Sequence, residues 1–295
     1  MIIELKNFFR QLQQTLETCL RLVLFIKWKK TITAQKEETI IVLGNGPSLN
    51  NSVESLGERI HQHKLICVNY FPATSAYEQL KPSYFITSAP ELWLNDVDEW
   101  YINFRNELFN GMAQKTAWPL DLFIPWEARK NKYWQEIVGK NNNITIRYYN
   151  VHPVEGFRGF RHFLFNKQFG LPRPHNVLGP AAMMGIHMGF KKIILLGAEH
   201  SWLPMITVDN SNNVLINNQH FYDAATSKPD TMRKSGKGQR KLHEVLHKYM
   251  LTFESYFFIR EYADIKNVKI YNATPNSFVD AFERISREEL NNIIK

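Results

Sequence analysis

Residues 39–49 read Thr-Ile-Ile-Val-Leu-Gly-Asn-Gly-Pro-Ser-Leu, and this stretch decides the fold. Its four consecutive apolar residues are typical of a strand that is buried on both faces of a parallel sheet. Gly44 and Gly46 allow positive φ and a close approach of the backbone to a ligand. Pro47 and Ser48 suit the start of a helix, whose N–H groups favour an anion. The stretch therefore predicts a strand, a phosphate-facing loop and a helix, with a tight turn that binds no ligand as the alternative.

Four later segments repeat this pattern of a short apolar run that ends in small or amide residues. Helical segments stand between them, so we predict an α/β fold, a Rossmann-like parallel sheet with helices on both faces. The carboxyl ends of its strands would form a ligand crevice. Residues 91–175 give no clear pattern. The predicted strands cover 65–68, 84–87, 193–196 and 268–271, the predicted helices cover 50–62, 178–190, 240–263 and 278–293, and a predicted hairpin covers 206–217.

The chain divides into an N-terminal segment and one large domain. Residues 1–30 are predicted as an amphipathic helix, and the polar residues 31–38 as a linker. Residues 39–295 are predicted as the Rossmann-like domain. Within it, the polar and basic stretch 223–240 indicates a mobile lid at about 203–240 that closes over the ligand, with a disordered, solvated loop as the alternative.

The N-terminal segment has the pattern of a helix that lies on a membrane surface. Six Lys or Arg residues stand against two Glu residues within 1–30. The apolar run is too short to span a bilayer, so we expect the helix to lie in the interface of an anionic membrane. The alternative is a helix that packs on the domain or on a second copy of the chain, which leaves a homo-oligomer open. The apolar residues that recur on one helical face are Leu5, Phe9, Leu12, Leu16, Leu20 and Val23.

The composition limits the class of ligand and the compartment. The chain has 295 residues, a formal charge of +8 and 44% hydrophobic residues, which is enough for a sizeable core. A basic balance suits nucleic acid, anionic lipid or a nucleotide substrate, but no nucleic-acid-binding motif is present, so no nucleic acid is predicted. Cys19 and Cys67 are the only cysteines, which favours a reducing, cytoplasmic location.

Four motifs resemble those of a known group of enzymes, in the same order along the chain. They are Ile-Val-Leu-Gly-Asn-Gly-Pro-Ser-Leu (41–49), Cys-Val-Asn-Tyr-Phe (67–71), Gly-Phe-Lys-Lys-Ile-Ile-Leu-Leu-Gly (189–197) and Thr-Pro-Asn-Ser (274–277). Together they resemble the small bacterial sialyltransferases of glycosyltransferase family 42 and the related MptE-like family, which is named for a 6-hydroxymethylpterin diphosphokinase. The resemblance covers roughly residues 38–292. It implies a Rossmann-like domain, a CMP-activated nine-carbon sugar acid as donor, inversion at the anomeric carbon, and no metal or other cofactor.

The resemblance also implies roles for individual residues. Asn45 and Gly46 would line the phosphate and the sugar of the donor, Asn69 would face the nucleotide, and Gly197 would begin the loop that holds the nucleotide. The family uses a His before the long C-terminal helix as general base, and His220 is the matching residue in this chain. An ordinary imidazole pKa of about 6.5 suits the removal of a proton from an acceptor hydroxyl.

This chain departs from the family at several positions. Residues 176–180, which include Gly179, replace the family's Arg-x-Thr-Ser-Gly. Residues 199–201, Glu-His-Ser, replace its Asp-Phe-Tyr, and Thr87 or Ser88 replaces an amide. Because these changes touch donor recognition, the donor is predicted as a sialic-acid-like sugar, either a nonulosonate or a related keto-acid.

Other polar residues complete the predicted site. Glu199 is a candidate to bind a ribose hydroxyl or, alternatively, to cap a helix. His200 is the second candidate for the general base. The candidates to hold the leaving phosphate are the N–H groups of residues 44–48, Ser201, Tyr222, Arg233 and Lys234.

These residues predict a membrane-peripheral glycosyltransferase on the inner face of the bacterial cytoplasmic membrane. Its acceptor would be a lipid-linked glycan of the lipooligosaccharide, lipopolysaccharide or capsule type. Two alternatives stay open, an MptE-like diphosphokinase that uses ATP and a pterin alcohol, and a non-catalytic nucleotide-binding membrane module. Asp96 and Asp98 match the Asp-x-Asp pattern of metal-dependent glycosyltransferases, but two acids in a polar stretch are common by chance, so no metal is predicted.

Overall fold

The computed structural model describes residues 2–28, 32–35, 37–217, 219–222, 227–234 and 237–294. Its helices are α1 (Ile2–Phe25), α2 (Leu49–Leu56), α3 (Ala76–Leu80), α4 (Glu99–Lys115), α5 (Lys132–Val138), α6 (Arg158–Asn166), α7 (Leu178–His187), α8 (Leu242–Ile265) and α9 (Arg287–Ile293). Its strands are β1 (Thr39–Leu43), β2 (Lys64–Val68), β3 (Tyr84–Ile86), β4 (Leu120–Pro125), β5 (Ile144–Tyr149), β6 (Lys192–Leu196), β7 (Ile206–Val208), β8 (Val214–Ile216), β9 (Asp230–Thr231), β10 (Arg233–Lys234), β11 (Lys237–Gln239), β12 (Lys269–Asn272) and β13 (Glu283–Arg284).

Eight of the strands form one parallel sheet in the order β13-β12-β6-β1-β2-β3-β4-β5. The chain runs outward from β1 to β5 and then returns to place β6 on the other side of β1. The direction of winding therefore reverses between β1 and β6. In open α/β sheets a ligand crevice forms at this reversal, outside the carboxyl ends of the strands. The predicted Rossmann-like α/β fold is confirmed.

Helices cover both faces of the sheet. Ile40 and Val42 of β1 pack into one core cluster with α6, α7 and α8, whereas Ile41 and Leu43 pack into the opposite cluster with α2 to α5 and α9. All four side chains are fully buried. Because side chains alternate across a strand, a strand with two covered faces needs an unbroken apolar run.

Residues 91–175, for which the sequence indicated no structure, extend the same sheet. They supply α4, β4, α5, β5 and α6. Strand β5 lies at the edge, and its residues alternate between half-buried and exposed until Tyr149, which is buried. An edge strand of this kind lacks the continuous apolar run by which the central strands were predicted.

Helix α1 packs on the domain through polar contacts and through Leu22, which lies against the core cluster of α7 and α8. The Thr18 hydroxyl donates to the carbonyl oxygen of Glu155 (3.2 Å), and the Glu155 N–H donates to the Thr18 oxygen (3.1 Å). The Phe157 N–H donates to the Thr15 hydroxyl oxygen (3.1 Å). Arg21 adds an ion pair with the buried carboxylate of Glu155 (3.4 Å). These contacts fix the helix to the segment that follows β5.

The apolar side of α1 remains exposed. All six residues of the predicted stripe are exposed, as are their neighbours Phe8, Leu24, Phe25 and Trp28. The helix is therefore docked on the domain, as the packed alternative required, but the domain does not bury its apolar stripe. Within the described part of the chain, no helix is both long enough and apolar enough to cross a bilayer.

The predicted linker 31–38 is packed against the domain where it is described. Ile32 is buried in the core cluster of α7 and α8, and its N–H donates to the side-chain oxygen of Gln168 (3.3 Å). The Gln35 N–H donates to the carbonyl oxygen of Met188 (2.7 Å). Residues 31 and 36 of this segment lie outside the described residues.

The predicted terminal helix over 278–293 is wrong in its first half, because α9 begins only at Arg287. The side-chain amide of Asn272 donates to the Ser277 hydroxyl (2.9 Å) and to the carbonyl oxygen of Val279 (3.1 Å). These hydrogen bonds hold the segment between β12 and α9 in a non-helical conformation, in which Val279 is fully buried.

The region of the predicted lid forms small antiparallel units. Strands β7, β8 and β9 form one sheet, and β10 pairs with β11. The predicted hairpin at 206–217 is confirmed by the antiparallel pairing of β7 with β8. Residues 218, 223–226, 235 and 236, and the side chains of Arg233 and Lys234, lie outside the described part. The lid and the phosphate contacts of those two residues therefore stay predictions.

Candidate functional site

A cavity of about 560 Å³ opens at the carboxyl ends of β1, β2, β3 and β6. It lies where the winding of the sheet reverses, which is the expected place for a ligand in this fold. The loop after β1 and the loop after β6 form one wall, and α8 forms another. Ten sequence-predicted residues line the cavity, namely Asn45, Gly46, Pro47, Asn69, Ser88, Gly197, Glu199, His200, Ser201 and His220.

The glycine loop after β1 is hydrogen-bonded to the loop after β6. The Gly44 N–H donates to the carbonyl oxygen of Leu196 (2.8 Å), and the Gly46 N–H donates to that of Gly197 (2.9 Å). A Cβ at Gly44 would lie 2.9 Å from the carbonyl carbon of Gly197. The backbones of these two residues therefore approach each other so closely that glycine is required at both Gly44 and Gly197. The N–H groups of Gly44 and Gly46 are therefore not available to a phosphate.

Glu199 supplies the anion at the start of α2. Its Oε1 accepts from the N–H of Ser48 (2.6 Å), at the helix terminus where the backbone dipoles favour negative charge. The prediction that the N–H groups of residues 44–48 face a phosphate is thus wrong for Gly44, Gly46 and Ser48. The helix-capping alternative for Glu199 is confirmed.

Four buried side-chain oxygens of cavity-wall residues have no hydrogen-bond partner among the described residues. They are Oε2 of Glu199, Oδ1 of Asn45, Oδ1 of Asn217 and the hydroxyl oxygen of Tyr249. The Asn45 side-chain amide already donates to the carbonyl oxygen of Val68 (3.3 Å), which fixes its orientation. A buried acceptor without a donor is unfavourable by about 1–3 kcal/mol. These oxygens are closed to solvent, so a ligand hydroxyl or amino group would reach one only after its side chain turns toward the cavity.

His200 is held in the interior as a neutral imidazole. Its Nε2 lies 2.6 Å from the Tyr256 hydroxyl, which in turn donates to Oδ1 of Asn176 (3.0 Å). Because the Tyr256 proton goes to Asn176, Nε2 of His200 carries a proton and donates to the Tyr256 oxygen. Burial lowers the pKa of His200 to about 3. With Nε2 occupied and the ring neutral, His200 is a structural residue and a poor candidate for the general base.

Basic side chains gather on the opposite wall of the cavity. Lys248 of α8 and Arg240 line it together with His175. Burial lowers the pKa of Lys248, and the charge of Arg240 lowers it further. Burial, followed by the charges of Lys248, Arg173 and other basic neighbours, lowers the pKa of His175 to about 4. The carboxylate of Glu91, which also lines the cavity, acts on the pKa of Lys248 in the opposite direction. An anionic ligand would reduce the mutual repulsion of the basic groups on this wall.

The sequence did not single out Lys248 or His175. Arg240 appeared only as part of the basic lid segment. A readable signal exists in α8, where Lys248 and Thr252 are four residues apart on one helical face, and both line the cavity. Nothing in the local sequence shows that this face meets the strand ends, because the contact forms between distant segments.

His220 lies on the cavity wall in a segment that is fixed to the glycine loop. The Phe221 N–H donates to the carbonyl oxygen of Asn45 (2.9 Å), and the Phe221 ring packs on Phe71 with centroids 5.4 Å apart. The His220 ring stacks on Tyr222 at 5.0 Å with an interplanar angle of 4°. The structure thus brings His220 to the cavity, and its role as base stays a prediction.

Five sequence-predicted residues lie outside the cavity wall. Thr87 is fully buried, and its carbonyl oxygen accepts from the Tyr149 hydroxyl (2.8 Å). The Gly179 N–H donates to Asn176 at the start of α7 (3.2 Å), which gives Gly179 a structural role. The five residues are Gly44, Ser48, Thr87, Gly179 and Tyr222.

Comparisons with known proteins identify no family for this chain. No family model matches the sequence, and no curated protein matches it. The resemblance to glycosyltransferase family 42 and to the MptE-like family therefore stays a prediction. Among solved structures, the chain is similar to the MAf glycosyltransferase from Magnetospirillum magneticum AMB-1, with a TM-score of 0.47 and 8% identity. The match covers 88% of this chain and 35% of that protein, and at this level it carries no conclusion about activity.

Proposed function

We propose that this protein is a glycosyltransferase that binds a phosphate-activated sugar donor in the cavity at the carboxyl ends of β1 and β6. The observation that carries the proposal is the pairing of two kinds of group on the cavity walls. Lys248 and Arg240 supply positive charge for an anion, while the polar residues Asn45 and Glu199 line the same cavity as candidates to bind hydroxyl groups. A nucleotide-activated sugar acid has both anionic groups and hydroxyl groups.

The donor that fits best is a CMP-activated sialic-acid-like sugar, a nonulosonate or a related keto-acid. Such a donor carries a phosphate and a carboxylate, two anionic groups for the two cations. The N–H groups of Gly44, Gly46 and Ser48 do not bind the phosphate in this proposal, because they pair with Leu196, Gly197 and Glu199. Positive side chains would therefore do the work that backbone N–H groups do in dinucleotide-binding folds.

The proposed reaction is one in-line displacement. The acceptor hydroxyl oxygen forms a bond to the anomeric carbon, and the bond between that carbon and the phosphate oxygen breaks. CMP leaves with the electron pair, and His220 accepts the hydroxyl proton. Lys248 and Arg240 would stabilise the charge that develops on the leaving phosphate, so the displacement requires no metal in this proposal.

We further propose that α1 holds the enzyme on the cytoplasmic face of an anionic membrane, where a lipid-linked acceptor would be found. Its exposed stripe is an apolar helix face that the domain leaves uncovered. The exposed Lys6, Arg10 and Lys27 lie on the same helix or just after it, and Trp28 follows them. Basic and aromatic residues beside an apolar face are typical of helices in the membrane interface.

A second copy of the chain is the less favourable partner for this stripe. Glu17, one of the two acidic residues of the helix, is already paired with Arg21 (3.0 Å). Two such helices laid face to face would bring their basic residues together, whereas an anionic lipid surface would attract them.

The test is release of CMP by the purified protein from a panel of CMP-sugars, with EDTA present and a lipid-linked glycan extract as acceptor. The variants are His220→Ala and Lys248→Met. The matched exposed controls are His243→Ala on α8 and Lys266→Met directly after it. We expect His220→Ala to lose CMP release while it still binds CMP, and Lys248→Met to lose CMP binding at least tenfold, since a hydrogen bond to a charged group is worth about 1.5–3 kcal/mol.

Other outcomes would replace the proposal. Consumption of ATP with a pterin alcohol, in place of a CMP-sugar, would establish the diphosphokinase. Binding of CMP without release from any CMP-sugar would favour the nucleotide-binding module. Full activity of His220→Ala would remove His220 as the base.

A further inference from the structure

Five aromatic rings form a row from α4 to the wall of the cavity. Trp100 stacks on Phe104 (centroids 5.2 Å apart, 19°), and Phe104 stacks on Tyr70 (4.9 Å, 24°). Tyr70 meets Tyr222 at 5.7 Å, and Tyr222 stacks on His220. We call these five residues the aromatic row. Three distant segments of the chain contribute to it, so it forms only in the folded protein.

The outer part of the aromatic row is open to solvent. Trp100 exposes 57% of its surface, and Tyr222 is also exposed. The large aromatic rings of the core, such as Phe71, Tyr77 and Trp134, are fully buried in the same domain. A row of stacked and solvent-facing rings beside a cavity is therefore a surface that a ligand could cover.

The row has a polar edge as well as ring faces. The Tyr70 hydroxyl donates to the carboxylate of Glu107, which lies one turn after Phe104 on α4. Burial, together with the hydrogen bond to Glu107, raises the pKa of Tyr70 to about 12, so the hydroxyl keeps its proton. The exposed Glu107 carboxylate has lone pairs for further donors, such as the hydroxyl groups of a ligand.

We infer that the aromatic row binds the saccharide acceptor and guides one of its hydroxyl groups to His220. This inference rests on the proposed function, because it assigns the acceptor half of the same site. A sugar ring has one face of C–H groups, whose partial positive charge is attracted to the negative face of an aromatic ring. The edge of the sugar ring carries hydroxyl groups, which can donate hydrogen bonds to the Glu107 carboxylate. A lipid tail, in contrast, would gain nothing from the carboxylate and would favour a closed apolar groove.

The aromatic row leads from the exposed Trp100 to His220 and therefore determines which part of a bound saccharide reaches the cavity. The ring at its inner end is His220, which lines the same cavity as Lys248 and Arg240. A saccharide that lies along the row would bring its terminal sugar beside His220. The donor would then occupy the cavity beyond it, so the two substrates would enter from different directions.

The test is binding of the protein to an immobilised array of bacterial surface saccharides, with CMP binding measured on the same samples. Trp100→Ala and Tyr222→Ala are the variants, and Tyr133→Ala and Phe163→Ala are matched controls with exposed rings elsewhere. We expect saccharide binding to weaken about tenfold or more in the first pair, with CMP binding unchanged, and both to be unchanged in the controls. Circular dichroism would verify that all four variants are folded.

Two results would overturn the inference. The first is a failure of the saccharide test itself. Either wild-type protein binds no saccharide on the array, or Trp100→Ala and Tyr222→Ala bind as much saccharide as wild type. The second is a loss of CMP binding in Trp100→Ala with saccharide binding intact, which would make the row a stacking surface for the nucleobase. Saccharide binding that depends on the row, in a protein that releases no CMP from any CMP-sugar, would support this inference while the proposed transfer reaction fails.

Discussion

The exposed stripe of α1 allows a quantitative test of membrane binding. The perturbation is the double variant Leu20→Gln with Val23→Gln, whose side chains expose 61% and 81% of their surface. A leucine or valine that moves fully out of water gains about 1.5–3 kcal/mol. Scaled by these exposures, the two side chains together contribute about 3 kcal/mol, which corresponds to roughly a 100-fold change in partition. Glutamine keeps a good helix propensity, so the helix itself should persist.

The assay is cosedimentation of the protein with vesicles of anionic and zwitterionic phospholipid. The matched control is Leu203→Gln with Val208→Gln, which changes the same residue types at 42% and 51% exposure away from α1. We expect wild type and control to sediment equally and the α1 variant to remain in solution. Vesicles without anionic lipid, or higher salt, should weaken the binding of wild type.

Equal sedimentation of the two double variants would refute the reasoning, and so would wild-type protein that does not sediment at all. A wild-type dimer that becomes a monomer in the α1 variant, with no vesicle binding, would assign the stripe to a second copy of the chain.

Two further predictions concern stability. Buried His200 keeps a pKa of about 3, while the unfolded imidazole binds a proton below about pH 6.5. The unfolded state therefore binds more protons, and His200 should make the protein less stable by about 2 kcal/mol when the pH falls from 7 to 5. The free energy of unfolding, measured in urea at both pH values, should differ less between pH 7 and pH 5 in His200→Gln than in wild type. An equal difference in both proteins would count against a neutral buried ring. Gly44→Ala should lower stability by roughly 2–4 kcal/mol, because its Cβ would lie 2.9 Å from backbone atoms of the loop after β6. Gly159→Ala on α6, where the added methyl meets only open space, should leave the melting temperature unchanged or slightly raised, and equal losses in both variants would contradict the close-contact argument.

The central strands could be predicted because burial on two faces leaves a direct mark in the sequence. The run at Ile40–Leu43 is continuous for that reason, and β6 reads in the same way. The edge strand β5 has one partly exposed face and therefore lacks that mark. The start of α9 had a local signal, the pair Ser286 and Glu289 of its capping box, which the longer predicted helix overlooked.

The site was predictable in position but not in chemistry. Parallel strands place their carboxyl ends together, so residues after β1 and β6 were bound to meet. The anion at the start of α2, however, comes from Glu199, 151 residues after Ser48. A local motif cannot reveal a partner at that distance. The positive charge comes from Lys248, in the middle of a helix whose sequence gives no sign that it faces the crevice.

The contact between α1 and the domain also sets an order of events during synthesis. Thr18 and its partner Glu155 are 137 residues apart, so the helix leaves the ribosome long before its place on the domain exists. At synthesis rates of about 5–20 residues per second, this interval lasts on the order of 10 seconds. Throughout it, the apolar stripe faces solvent with no folded partner. A nascent chain that reaches a lipid surface in that time would fold its sheet beside the membrane. The helix face with Thr15 and Thr18 would then bind the domain once the domain has folded.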